Sequence, residues 1–438
     1  MFAVLSAVTA GAADGWVPVK ALPMNDDESK VAPYELPDVL VHTNGARVTR
    51  ETWPQRRREM LDLLSREMVG AELPAPEALV VDKFEDKVAL GGFAIRRQFR
   101  MCFRADRSGP YVDWLLYVPN RPMVRCAWGP KEPMYRPLKG VPVALMLNYD
   151  GNHIFSEDDR VPVATNAFNN DAKKGWRLAE SDRGLGMRPE SRSFVPLRLL
   201  MARGWAFLTA CYVQVSADHY AHMHENVLGL WPDAEPGTLT SLSAWAWALS
   251  RGLDLAARQP EIDIGKSMVT GCSRLGKTAL LAGARDERFA VVCPNQTGGG
   301  GIPLWKRNFG ENVSMFFHDE ARAWFVPSFR RYAGNEAAMP FDMHFLQACI
   351  APRAFLAVGW TEFHFDPKGE FLAVKAASPA WELFGYRGMA DAPEPVPYET
   401  NAVGDRIGYA RRGGDHCISV LNWLWMLDFA DRQFREVM

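Results

Sequence analysis

No two cysteines in this chain are separated by two residues, and only seven occur among its 438 positions. That absence removes the usual zinc-binding and thiol-redox patterns, and seven is odd, so at least one thiol is unpaired. Charge of one sign is also lacking: 50 Lys and Arg stand against 52 Asp and Glu, a net −2. Such a balance gives no electrostatic reason to expect nucleic acid or an anionic membrane as partner. Beyond the first residues no apolar run approaches the roughly 20 residues of a membrane span. There is no internal repeat and no low-complexity linker, which excludes a solenoid and a string of small modules.

What is present is a large, ordinary globular composition, 48% hydrophobic and 23% charged. The length suits one large α/β domain with ample core. Fifteen tryptophans are many; core packing and sugar-stacking surface both use indoles. Residues 1–13 are small and apolar and end in Ala10-Gly11-Ala12-Ala13. They resemble the apolar region and cleavage site of a secretory signal without its basic start, so a secreted or periplasmic protein is expected.

Residues from about 14 to 95 are rich in Pro, Asp and Glu, with a charged helical stretch from Thr52 to Met68; they predict an N-terminal extension that wraps the sheet. Strands are predicted at 94–100, 111–118, 141–148, 204–210, 267–270, 289–293 and 354–359. Helices are predicted at 241–257, after Ser273, and at 422–434. Residues 151–194 form a long polar loop of the kind that frames sites. Strands alternating with helices imply a mainly parallel sheet sandwiched between helices in three layers. We read 14–438 as a single domain of this class.

The chemistry is concentrated at Gly271-Cys272-Ser273-Arg274-Leu275-Gly276-Lys277. An apolar run precedes it and an Ala/Leu-rich helical pattern follows. Strand, tight glycine-flanked turn and helix are the setting of a nucleophile elbow, with Ser273 at the tip. The usual pattern puts glycine two residues after the serine; this chain has Leu275 there and Gly276 next. The alternative is a serine N-cap on an ordinary helix. A serine hydroxyl needs a base, and the base a group to orient it. The α/β-hydrolase order is Ser, acid, His. Glu362 follows the strand ending at Gly359, and His416 lies just ahead of the last helix. Singly they could be a solvated carboxylate and a packing histidine; together with the elbow they make a triad.

The segment Ser273 to Lys277, with Asp286-Glu287-Arg288-Phe289-Ala290, Gly310-Glu311-Asn312-Val313 and Ala351-Pro352-Arg353, resembles the glucuronoyl esterases of carbohydrate esterase family fifteen. Residues 369–377 and 423–431 share the likeness, which runs from about Val141 to the C-terminus and includes Gly151-Asn152-His153. The resemblance implies an α/β-hydrolase fold. It also implies a cofactor-free serine esterase that cuts esters of glucuronic or 4-O-methylglucuronic acid, as in glucuronoxylan–lignin linkages, through an acyl-enzyme. It assigns Ser273 as nucleophile, His416 as base, Arg274 as oxyanion donor, and Lys277 and Glu311 as sugar-binding groups. A monomer is expected, with no nucleic-acid or membrane partner.

Two departures follow from the same comparison. Many members carry the acid in an Asn-Glu-Ser/Thr-Gly stretch, which in this chain is Asn295-Gln296-Thr297-Gly298. Gln296 cannot be an anion, so the role goes to Glu362, the other acid position of the family. On this assignment Glu362→Ala loses most activity and Gln296→Glu changes it little. His364 stands where members usually have a sugar-packing tryptophan, and offers less stacking area. The resemblance also implies a Cys272–Cys417 disulfide, with two buried thiols as the alternative. His219, His222 and His224 lack a carboxylate or thiol at zinc spacing, so no metal is expected and they read as a polar loop near the site. An esterase for other carbohydrate or aryl esters, motivated by His364, and a carbohydrate-binding pseudoenzyme, motivated by Gln296, are the competing readings.

Overall fold

The structure is a computed structural model and describes residues 18–122, 135–156, 158, 160–167, 195–317, 323–394 and 396–435. The signal-like residues 1–13, Cys126 and most of the polar loop at 151–194 lie outside them. The strands are β1 (Val80–Ala89), β2 (Ala94–Cys102), β3 (Tyr111–Pro122), β4 (Tyr135–Pro137), β5 (Val141–Asn148), β6 (Ala206–Cys211), β7 (Ile262–Cys272), β8 (Val291–Asn295), β9 (Ala354–Trp360), β10 (Thr400–Val403) and β11 (Ile407–Arg412).

They form one sheet in the order β1-β2-β3-β6-β5-β7-β8-β9-β11-β10, with β4 paired to β3. The central run from β6 to β11 is parallel, and antiparallel strands extend it on both sides. Parallel strands must be covered on both faces. In β5, Val143, Leu145 and Leu147 join one buried cluster while Ala144 and Met146 join the other. The first cluster holds the helices Ser241–Ala257 and Arg274–Arg285; the second holds the C-terminal helix Val420–Arg435. This is the three-layer α/β-hydrolase architecture expected.

Local chemistry sets the elements. Thr240 Oγ1 caps the helix Ser241–Ala257 by accepting from Ser243 N at 3.0 Å. On that helix a Cβ at Gly252 would sit 2.5 Å from the Trp114 ring, so glycine lets the helix approach the sheet. The charged stretch of the extension becomes the helix Trp53–Leu64, whose Arg57 is buried. Arg57 donates to Cys349 O at 2.9 Å and to Ala284 O near the C-terminus of the helix Arg274–Arg285. A guanidinium there satisfies carbonyls that the helix itself leaves unpaired.

Four strands escaped the sequence reading: β1, β4, β10 and β11. β1 mixes charge with a half-buried edge and was expected to wrap rather than pair. β11 is short and arginine-bearing, yet it supplies the last parallel rung and carries the chain to His416. Arg57→Ala is expected to lower the unfolding free energy by about 1–3 kcal/mol, because buried carbonyls lose their donor; urea denaturation measures it.

Candidate active site

The C-terminal ends of β7, β8, β9 and β11 converge, and each delivers one part of the site. After Cys272 the backbone of Ser273 takes φ 58° and ψ −131°, and the helix begins at Arg274. A non-glycine residue with positive φ is strained, and such strain persists only where the surroundings over-determine it. They do: a Cβ at Gly271 would lie 2.2 Å from Leu275 O, and one at Gly276 would lie 2.6 Å from Asn295 O. The glycine needed against β8 therefore falls third after the serine, and Leu275 can stand in the usual glycine position. Ser273 N donates to Asn295 O at 3.0 Å, tying the elbow to the end of β8. The turn exposes first-turn N–H groups of the helix, including that of Arg274, which have no intrahelical partner.

His416 follows β11. Its Nδ1 lies 3.0 Å from Oε1 of Gln296. With an amide oxygen as partner, Nδ1 carries the proton and Nε2 is the accepting nitrogen. The imidazole stacks on Trp360, with centroids 4.8 Å apart and planes at 27°, and meets the edge of Phe365 at 5.0 Å. Trp360 in turn donates from Nε1 to Gly414 O at 2.6 Å, and Arg412 donates to Cys417 O at 3.0 Å. The histidine loop is thus clamped from both sides.

Gln296 is wholly buried at a positive φ of 46°, its N–H donating to Val358 O at 2.7 Å. Gln296 thus supplies an oxygen to the imidazole from the end of β8. Glu362 is exposed, and its backbone carbonyl accepts from Phe365 N at 3.1 Å. It lies on the short segment between Trp360 and Phe365, the two rings that hold His416.

Arg274 is held more firmly than expected. Its guanidinium lies over Trp324 at 4.8 Å and Tyr149 at 5.9 Å, and pairs with Asp218. Burial opposes its charge, but Asp218 and the neighbouring tyrosines outweigh burial and push its pKa above the ordinary value. Tyr149 donates to Cys272 O at 2.7 Å, and burial raises its phenol. Lys277 does not reach outward: it is buried, donates to Thr297 O, and has its ammonium 4.9 Å from the Trp324 ring. Glu311 faces the same turn from the other side, accepting from Gly299 N at 2.8 Å. His364 packs its ring on Trp360 and Phe365, and its carbonyl accepts from Glu311 N at 2.9 Å.

Cys272 and Cys417 are not joined in a disulfide, which overturns the expected pairing. The Cys272 sulfur approaches Gln296 Oε1 at 3.8 Å, whereas that of Cys417 approaches Arg412 at 3.8 Å. Among the described residues no group of three His, Cys, Asp or Glu side chains is disposed to hold a metal. His219 Nδ1 accepts from Ala221 N, and His222 engages Glu225. Sequence reasoning missed Asp218, Tyr149, Trp324 and Trp360; nothing in their spacing marked them, and only the fold gathers them around Arg274 and His416.

A strained serine at a strand–helix turn, a histidine after the last parallel strand whose Nδ1 meets an amide oxygen, and a mainly parallel sheet define a serine α/β-hydrolase. A family model described as glucuronyl esterase of fungi matches residues 200–385. A carbohydrate esterase of an unknown prokaryotic organism is 31% identical over 93% of this chain and 91% of its own length. The solved glucuronoyl esterase of Solibacter usitatus superimposes with a TM-score of 0.80 at 31% identity, over 93% of this chain and all of that one. A structure described as a promiscuous esterase of the same family, from a marine bacterial metagenome, gives 0.79 at 30% identity over 94% and 100% of the two chains. The chain belongs to carbohydrate esterase family fifteen, the glucuronoyl esterases, and is a carboxylic-ester hydrolase.

Gly271→Ala is expected to cost about 1–3 kcal/mol of stability, as overpacking against fixed backbone does. Because Ser273 shares the turn, ester hydrolysis should fall at least about tenfold, since small misplacements of reacting groups are costly. Thermal unfolding and initial rates on a benzyl glucuronate measure the two effects.

Proposed function

We propose that the protein hydrolyses esters of glucuronic acid and its 4-O-methyl derivative, including those joining glucuronoxylan to lignin alcohols. The observation that carries this is the strained Ser273 on the same edge as a His416 whose Nδ1 is already engaged. Ser273 Oγ attacks the ester carbonyl while Nε2 of His416 takes its proton. The carbonyl oxygen becomes an oxyanion, met by the N–H and guanidinium of Arg274; one such donor is worth about 10²–10³ in rate. The C–O bond to the alcohol breaks as His416 returns the proton to the leaving oxygen. Water, deprotonated by the same nitrogen, then releases the uronic acid from the acyl-enzyme.

In this reading Gln296 fixes the tautomer and orientation of His416. Glu362 supplies negative charge toward the imidazolium from the neighbouring loop, a modest contribution because it is exposed to water. Lys277 and Glu311 shape the floor around Thr297–Gly299 on which the sugar hydroxyls rest, and His364 borders it. The half-buried His364 in place of a broad indole supports a second reading, tolerance of other carbohydrate or aryl esters. No helix among the described residues is long and apolar enough to cross a membrane, and we take the protein to act as a secreted or periplasmic monomer.

Ser273→Ala is expected to abolish hydrolysis of benzyl glucuronate, by about 10⁴-fold or more. Unaltered turnover would sink the assignment, while Ser273-dependent cleavage of an acetyl-sugar ester alone would favour the second reading. Gln296→Leu should lower kcat about 10²–10³-fold, less than the roughly 10⁴-fold that loss of the carboxylate costs in Ser-His-Asp triads, because an amide orients the imidazole without supporting its charge. Glu362→Ala should cost about tenfold or less, in keeping with a screened charge; wild-type rates there would leave Ser273, His416 and Gln296 as the whole relay. In Gln296→Glu the acid limb of the kcat/KM profile should move to higher pH, because a carboxylate favours the charged imidazole and the base is lost at a higher pH.

A further inference from the structure

We infer that Asp218 is a positioning residue for ester hydrolysis, the fixed anchor that aims the Arg274 guanidinium at the reacting oxygen. The inference rests on the oxyanion role proposed for Arg274. Asp218 sits in the loop after β6, beside the histidine-rich stretch, and its side chain is only 2% exposed. One carboxylate oxygen pairs with Arg274 Nη1 and the other accepts from Trp324 Nε1. Trp324 is itself buried and is one of the two rings between which the guanidinium lies. A single carboxylate therefore sets both the cation and one wall of its slot.

The backbone around Asp218 is the least movable part of this arrangement. Trp245 Nε1 donates to Ser216 O at 3.0 Å, and Ser241 Oγ donates to Ala217 O at 2.6 Å. Both donors belong to the helix Ser241–Ala257, which packs on the sheet. Arg274, by contrast, has a long side chain whose position depends on its partner. A planar guanidinium needs a matching carboxylate to fix its orientation. Asn cannot replace Asp: its one oxygen serves one donor, and its NH₂ then faces the other donor.

The test is a double-mutant cycle on hydrolysis of benzyl glucuronate, with Asp218→Asn and Arg274→Ala made singly and together. Asp218→Asn in the wild-type background should lower kcat about 10²-fold, the scale of a small misplacement at a reacting centre. KM should change by less than about threefold, because an interaction lost only in the transition state lowers kcat alone. In the Arg274→Ala background the same substitution should change kcat by less than about threefold, since residues acting through one another are not additive. An equal loss in both backgrounds would overturn the inference and leave Asp218 a structural residue. Should Asp218→Asn fail to fold, Asp218→Asn/Arg274→Leu is compared with Arg274→Leu, which leaves no buried cation unpaired; further loss in the pair overturns the inference, and equal rates support it. Ser273→Ala run alongside separates the outcomes: activity without Ser273 defeats the functional reading, whereas Ser273-dependent activity indifferent to Asp218 defeats this inference alone.

Discussion

Everything at the site depends on how closely the turn after β7 approaches the end of β8. Gly271 and Gly276 remove the two Cβ atoms that would collide with Leu275 O and Asn295 O. Only then can Ser273 N reach Asn295 O and the helix start beneath the serine. Asn295 is itself fixed, donating to Thr270 Oγ1 at 3.0 Å and Cys293 O at 2.9 Å and accepting from Asn422 of the C-terminal helix at 3.1 Å. The strained serine thus rests on a polar knot that joins two strands and both helical layers. Buried polar groups fully satisfied in this way rigidify a core and specify one arrangement.

The charges are distributed unusually. The position beside the base holds a neutral amide, and the buried carboxylate stands instead beside Arg274. A neutral partner orients an imidazole but gives its charged form little support. An Asp beside Arg274 costs the guanidinium part of its free field and returns a fixed direction. Lys277 is likewise turned inward, onto the Thr297 carbonyl and the Trp324 face. Aromatic surfaces take up the space around these groups, as Trp360 does for His416, and so lower the local dielectric in which the polar contacts act.

Much of this was legible in the sequence. The elbow was readable because strand, glycine-flanked turn and helix each leave a pattern, and β5 because a strand buried on both faces is a run of apolar residues. His416 could be located by chain order. The contact of Gln296 with the imidazole was not readable in the same way. Charge favoured Glu362, but the φ of 46° that turns Gln296 toward the imidazole is a tertiary outcome. Asp218 was invisible for a related reason: a lone carboxylate in a loop acquires meaning only when another loop brings an arginine to it. β11 was hidden because Arg411 and Arg412 break its apolar run, and the disulfide failed because the two sulfurs turn to different neighbours.

The contact of Arg57 with Ala284 and Cys349 spans 227 and 292 residues of sequence. On a ribosome adding roughly 5–20 residues per second, the helix Trp53–Leu64 emerges about 15–60 s before Cys349 exists to receive it. An early segment that must wait for its acceptors is a natural client for holding factors. Part of the C-terminal capping of the elbow helix, at Ala284 O, therefore exists only once the N-terminal extension lies against it.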